Sequence, residues 1–439
     1  MNARQAPFVV AAAAALIGLA IGLALRGVEP AATWLYQAAW YPTIVAMAAF
    51  IARREGRDPL TGNPLHALSL FAWSAVFWFF FELLNWRLDN WYYINVPADR
   101  TARWVGISLA FATVLPAIFL AARTLESWTV FRHVPARAMR VTPLGLRLTS
   151  LAGLVFLVLP LAWPQRFFPL VWGATTLLAE PALYRRERDW SLIGDLERGE
   201  LGRILRLLAG GAVIGLLWEL YNSIARSRWI YTVPGLENLK VFEMPLLGFL
   251  GFPVFALECW SVFHLLACFG ISTPEHPSAR PVRLGRKVAT AAAGVAFAVF
   301  VLAGMERYSI SSTSPQLIAV PGLPASVAFR LGAAGESPFG LAREPASTLA
   351  RETGASLAQA LLWIEAARLS TLRGIGTANA GRLMHIGVSD VATLARQDPD
   401  SLLAHLRVAS PGDAPPRRPT PAEARVWVRA ARAAFGWTS

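Results

Sequence analysis

The chain has 439 residues, of which 55% are hydrophobic and only 16% charged, with mean hydropathy +0.43 and formal net charge +13. Soluble domains carry about a quarter charged residues, so this balance excludes an ordinary soluble domain and argues for a membrane protein. On such a chain, excess positive charge reads as cytoplasmic loops rather than as a nucleic-acid footprint.

A spanning helix needs roughly 20 mostly apolar residues. Runs of that kind lie near 7–25, 34–52, 65–86, 103–122, 144–163, 167–184, 203–222, 244–270 and 287–305, which predicts about nine spans. The first follows Arg4 without a small-residue cleavage signature leading to a soluble domain, so it reads as a span rather than a signal peptide. Arginine and lysine counting gives roughly 17 on one set of flanks (among them Arg53, Arg54, Arg123, Arg185 and Arg286) and about 9 on the other. The expected placement is a bacterial inner membrane with the N-terminus cytoplasmic. With nine spans, the C-terminal region is periplasmic. Cys259 and Cys268 share one apolar run, too far apart on a single helix for a disulfide, and read as core residues.

The chain repeats itself. FELLNWRLDNWYYINVP at 81–97 returns as WELYNSIARSRWIYTVP at 218–234, and Glu82, Asn85, Pro97 and Pro116 fall on Glu219, Asn222, Pro234 and Pro253, each 137 residues on. Trp40-Tyr41-Pro42 and Phe167-Phe168-Pro169 read as the matching openings of the two copies. Four spans per copy is an even number, so both copies insert in the same direction, as parallel repeats about an axis along the membrane normal. Both Glu-x-x-Asn motifs then face the outer side. The expected organisation is membrane repeat 1 at 1–143, repeat 2 at 144–286, a ninth span at 287–305, an extended linker at 306–323 and a helical domain at 324–439.

Glu and Asn three apart share a helix face. Each pair precedes aromatic residues, Trp86, Trp91, Tyr92 and Tyr93 in one copy and Trp229 and Tyr231 in the other. If the copies meet, two carboxylates and two amides converge, an oxygen-only set suited to a hard cation or a polar ligand. The competing reading is structural: Trp and Tyr anchor at membrane interfaces, and Glu and Asn near a helix end bond to loops or to the neighbouring repeat. A carboxylate near a helix C-terminus opposes the dipole and needs a partner, for which Arg87, Arg226 and Arg228 are the candidates. Glu258 lies within an apolar run and meets Ala121 at the 137-residue offset, an asymmetry that marks it as a further candidate. His264 reads chiefly as a core histidine, and Glu180 as structural. The candidate ligand or ion residues are therefore Glu82, Asn85, Glu219, Asn222, Glu258, Trp91, Tyr93, Trp229 and Tyr231. There is no nucleophile elbow, phosphate loop, Cys-x-x-Cys or His-x-x-x-His, so no catalytic residue, metal or cofactor is assigned.

Beyond about residue 306 short amphipathic helices alternate with turns, again in duplicate. Ala328, Leu331, Gly335 and Leu341-Ala342 match Ala380, Leu383, Gly387 and Leu394-Ala395, and WIEAAR at 363–368 matches WVRAAR at 427–432. The stretch 411–421 (PGDAPPRRPTP) reads as a Pro-rich loop. Residues 372–395, LRGIGTANAGRLMHIGVSDVATLA, resemble a helix-hairpin-helix unit, a likeness that extends to about 408. Carried over, Gly374, Ile375 and Gly376 are the hairpin contact residues, which in nucleic-acid-binding members meet backbone phosphate. Residues 306–439 hold 14 Arg and 10 acidic residues, sparse for a nucleic-acid footprint, so a protein partner or intramolecular docking is the leading expectation.

Taken as a whole the chain reads as an all-α polytopic bundle followed by a tandem helix-hairpin-helix-like domain. The leading function is a non-enzymatic scaffold or accessory subunit in the lipid bilayer. The alternatives are a transporter or ion pathway using Glu82, Glu219 and Glu258, a membrane enzyme acting on a lipid or isoprenoid, and a tethered DNA-binding protein. A cavity open to water would favour transport; capped, dry carboxylates favour the scaffold.

Overall fold

A computed structural model describes residues 4–233, 239–275, 284–409 and 419–435. It is nearly all helix. The chain folds into two compact units, one of Met1–Asn90, Trp104–Ala225 and Val233–Ala303, the other of Trp91–Arg103, Arg226–Thr232 and Gly304–Ser439. The second unit therefore includes two segments that the expected linear division left in the membrane repeats. Pro234, the repeat mate of Pro97, lies outside the described residues.

In the first unit α1 (Ala6–Leu25), α2 (Ala31–Glu55) and α3 (Pro64–Leu88) are followed by α4 (Arg100–Ala112) and α5 (Val114–Ser127). Then come α6 (Pro143–Ala162), α7 (Pro164–Phe167), α8 (Val171–Arg186), α9 (Leu192–Arg198), α10 (Gly202–Ile224), α11 (Gly251–Cys268) and α12 (Leu284–Tyr308), with the start of α4 up to Arg103 and the end of α12 from Gly304 belonging to the second unit. Among the described residues 8 helices are long and apolar enough to cross a membrane. The expected span at 167–184 is not one of them. It breaks at Trp172 (ψ 103°) and Gly173 (φ 116°), and α8 has only 16 residues.

Local signals explain the helix ends. Proline opens α3 and α6, where a missing N–H costs nothing, and the Asn63 and Thr142 side chains accept from His66 N and Gly145 N. Between α4 and α5 the chain kinks ahead of Pro116. The Ser74 hydroxyl of α3 fills the gap, donating to Phe111 O at 2.7 Å and accepting from Leu115 N at 3.0 Å.

The packing has the exchange pattern of a two-fold axis. Helix α1 packs on α2 as α6 does on α8, α2 on α5 as α8 on α11, and α3 on α5 as α10 on α11. Across the repeats, α5 meets α10, while α3 meets α11 through Phe77 stacked on Phe255 at 5.9 Å. Glycines permit the close approach: a Cβ on Gly211 would sit 2.7 Å from Phe252 O, and one on Gly215 would overlap the Phe252 ring. Trp40 of α2 meets Trp218, and Trp172 of α8 meets Phe81, the residue that Trp218 repeats. So Trp40 corresponds to Trp172, and the expected match of Trp40-Tyr41-Pro42 with Phe167-Phe168-Pro169 is corrected. The true offset in this helix is 132, which also aligns Thr43 with Thr175 and Arg53-Arg54-Glu55 with Arg185-Arg186-Glu187.

In the second unit β1 (Trp91–Ile94) and β2 (Arg228–Tyr231) pair antiparallel, Trp91 with Tyr231, Tyr92 with Ile230, Tyr93 with Trp229 and Ile94 with Arg228. By the 137-residue offset Trp91 repeats as Arg228 and Ile94 as Tyr231. Trp91 and Ile94 thus each face the repeat mate of the other, the signature of a self-complementary two-fold contact. The expected linker forms a third strand-like edge: Ser311 N donates to Tyr93 O at 2.9 Å and Ser314 N to Val96 O at 2.7 Å. Its residues Ser309, Ile310, Ser311 and Ser312 are buried, because a segment paired through its backbone no longer needs water. It is extended, but it is not a solvated tether.

Beyond it lie α13 (Ala325–Ala333), α14 (Pro338–Leu341), α15 (Ala346–Thr353) and α16 (Leu357–Thr371), then α17 (Gly376–His385), α18 (Val391–Ala395), α19 (Pro399–Ala409) and α20 (Pro421–Ala434). Leu331, Leu341 and Trp363 are buried in one apolar cluster, and their repeat mates Leu383, Leu394 and Trp427 in another. Met384 packs against both. Most of the Pro-rich stretch 411–421 lies outside the described residues; Thr420 caps α20 in a capping box with Glu423.

Asp390 caps α18, accepting from Thr393 N at 2.6 Å and Thr393 Oγ1 at 2.8 Å. Partial burial pushes its carboxyl up, but the Thr393 amide and hydroxyl with Arg396 outweigh that and hold it below the usual aspartate range. A depressed carboxyl adds stability above its unfolded value, about 3.9, that is lost as pH falls through the lower folded one. Asp390→Ala should destabilise the second unit by about 1 kcal/mol at pH 7. Titrating the melting midpoint of both proteins from pH 7 to 3 should make the difference shrink; a constant gap contradicts the cap.

Candidate functional site: buried carboxylates and the repeat strands

Glu82, Glu219 and Glu258 are each fully buried, as are Asn85 and Asn222. A buried charge in a bundle needs donors, and these come from different places. Trp78, one turn before Glu82 on α3, donates its indole N–H to Glu82 Oε1 at 3.2 Å. Asn85 closes the helix end, its Oδ1 accepting from Asn90 N at 2.9 Å while Asp89 turns the chain in the left-handed region (φ 51°). Trp78 and Trp218 lie ring to ring at 5.7 Å, so the residue beside Glu219 abuts the residue bonded to Glu82. Trp218 also touches Trp40, and Tyr221 bonds to the Thr43 hydroxyl at 2.9 Å. This centre joins the two copies through rings and hydroxyls.

Glu258 is held differently. Its Oε1 accepts from Gly173 N at 2.8 Å, Thr175 N at 3.0 Å and Thr175 Oγ1 at 2.9 Å. These donors exist because α8 is broken at Gly173, which leaves the amides of the following turn without carbonyl partners. Gly173 and Thr175 went unnoticed in the sequence. The 132-residue match of Trp-x-x-Thr…Arg-Arg-Glu was the available signal, obscured by a different offset in the neighbouring helix.

Of the proposed arginine partners, Arg87 is exposed and donates to Ala162 O, while Arg226 and Arg228 belong to the second unit, where Arg226 lies over the Phe339 ring at 4.0 Å. Glu180 accepts from Ser191, Ser261 and Ile193, which makes it structural. His264 bonds to Trp260 O through Nδ1 and stacks on the Trp260 ring at 3.8 Å, as a core histidine does. Among the described residues no three His, Cys, Asp or Glu side chains converge to hold a metal ion.

Trp91, Tyr93, Trp229 and Tyr231 lie on β1 and β2 and pair crosswise. Trp91 and Tyr93 are buried within the protein rather than spread on a lipid interface. An unanticipated clamp sits beside them: Arg103 forms a bidentate ion pair with Glu306 at 2.8 and 3.0 Å and donates to Pro97 O and Ala98 O. A bidentate, half-buried fork of this kind is among the stronger ionic contacts a protein makes.

The hairpin residues also face inward. Gly374 (φ 82°) and Gly376 (φ 72°) take a conformation that side chains resist, and Ile375 is fully buried. A Cβ on Gly376 would lie 2.7 Å from the Ser312 Cβ, and one on Gly374 3.6 Å from Ile94. The turn is seated on the three-stranded edge built by β1, β2 and residues 309–314.

No curated protein and no solved structure matches the chain. Residues 340–434 match a family model described as a domain of unknown function (DUF4332), and they form a distinct C-terminal domain.

Proposed function

We propose that the protein is a multi-pass scaffold or accessory subunit of a bacterial inner membrane, crossed nine times with the interrupted stretch 164–186 as one of the crossings, its N-terminus cytoplasmic and a helix-hairpin-helix-like domain in the periplasm serving assembly with a protein partner. The observation that carries this reading is that Glu82, Glu219 and Glu258 are all without solvent exposure. Dry carboxylates hold a fold together, whereas a transport path must bring them to water. The seating of Gly374–Gly376 on Ser312 and Ile94 supports docking over nucleic-acid binding, since the hairpin is covered by the chain's own residues. Transport is the second reading, favoured by one feature: interrupted helices in membranes often accompany binding sites for small ligands or ions.

The test is carbodiimide labelling in native membranes, followed by mass spectrometry. On the scaffold reading Glu82, Glu219 and Glu258 stay unmodified. Rapid modification of any of them, altered by a cation gradient, would favour transport.

A further inference from the structure

Interrupting a helix inside an apolar bundle, as α8 is interrupted at Gly173, exposes the amides that begin its second half, and neither hydrocarbon nor apolar side chains can satisfy them. Glu258 reaches across from α11 and saturates one oxygen, Oε1, with the Gly173 and Thr175 amides and the Thr175 hydroxyl. Its Oε2 is buried and accepts no hydrogen bond among the described residues, and neither does the buried Thr176 hydroxyl next along the turn. In the first copy the corresponding turn is Tyr41-Pro42-Thr43, the helix runs on through Pro42, and the 137-residue offset places Ala121 opposite Glu258. Thr43 instead bonds to Tyr221, whose own repeat mate, Leu84, has no hydroxyl to offer Thr175. The broken turn and the carboxylate are thus both present in one copy and both missing from the other.

We infer that the turn Gly173–Thr176 is a carboxylate-binding cradle and that Glu258 is its resident ligand, tethered by α11. Convergent amides at the positive end of a half-helix are the chemistry that recognises a small carboxylate. Because the ligand is built into the chain, the cradle is closed to others while Glu258 stays in place. Emptying it should create a site for formate or acetate. The cradle is filled in this way whether the bundle is a scaffold or a transport path.

Glu258→Ala in the full chain, purified in detergent, should melt about 5 °C below the wild type. Formate at roughly tenfold above its dissociation constant should restore about half of that loss, whereas chloride at equal ionic strength should not. Wild type and Glu258→Gln, in which the cradle stays filled, should respond to formate by less than about 1 °C. Equal formate responses in all three proteins, or none in a folded Glu258→Ala, would overturn the inference. Should that variant fail to accumulate, Thr175→Val provides the second test. It removes one donor and leaves the break, and should lower the midpoint by about half as much. A Thr175→Val protein as stable as the wild type would also overturn it.

Discussion

Trp427→Ala is expected to unfold the second half of the C-terminal domain. Trp427 is fully buried among Ile375, Leu383, Leu394, Leu402 and Leu406, and its indole also walls the Gly374 turn. Truncating a core tryptophan removes its transfer free energy and leaves a cavity, together about 3–5 kcal/mol. Small domains have only about 5–15 kcal/mol in total, so this one change takes much of the margin. Limited trypsin digestion of the full chain should reveal it, with cleavage at Arg382, Arg396 or Arg407 in the variant under conditions that leave the wild type whole. Phe329→Ala, at a side chain 71% exposed, is the control and should change stability by less than about 0.5 kcal/mol. Equal resistance of Trp427→Ala and wild type would mean that the second apolar cluster does not hold the domain.

Gly376→Ala separates the two demands made on the hairpin. An L-residue at φ 72° costs about 1–2 kcal/mol from its own backbone. The new Cβ also meets the Ser312 Cβ at 2.7 Å, and overpacking of that kind costs about 1–3 kcal/mol more. Gly374→Ala imposes the first demand alone, since its nearest neighbour is the Trp427 indole nitrogen at 3.4 Å. Gly376→Ala should therefore be the more damaging of the two. Ser312→Gly should recover part of the loss in Gly376→Ala and none in Gly374→Ala. Hydrogen exchange at the Ser311 and Ser314 amides, which bond to Tyr93 O and Val96 O, gives a local readout alongside the melting midpoint. If Ser312→Gly fails to relieve Gly376→Ala, the hairpin does not rest on that residue.

The two variants bear on what the tail does. A hairpin seated on Ser312 and Ile94 is a structural joint, so its glycines report on the cohesion of the second unit rather than on a ligand. A partner would then meet other surfaces of residues 324–439.

Much of this was legible in one dimension. Apolar run length marked the long helices, because a membrane-crossing helix satisfies its own backbone and needs only some 20 apolar residues in sequence. The constant offset of Glu82, Asn85 and Pro116 from Glu219, Asn222 and Pro253 announced the duplication, which the crosswise register of β1 and β2 now expresses as a two-fold contact. The duplicated tail was equally plain, since Leu383, Leu394 and Trp427 keep their repeat mates' apolar character in the core.

What the tertiary structure alone decided concerns backbone groups whose partners are remote. Gly173 and Thr175 bond to a carboxylate 85 and 83 residues away, so nothing near residue 173 announced which group would close the break in α8. The apparent linker became a buried edge because Tyr93 and Val96, more than 200 residues earlier, offered it their carbonyls. The four aromatic candidates became strand partners for the same reason. The glycines of the 374–376 hairpin are a local signal for a turn, since positive φ is a local property. Whether it faced a phosphate or the chain's own Ser312 was not local, and the fold turned it inward. Sequence by itself therefore determined which segments could satisfy themselves; the structure decided how the groups that could not would be matched.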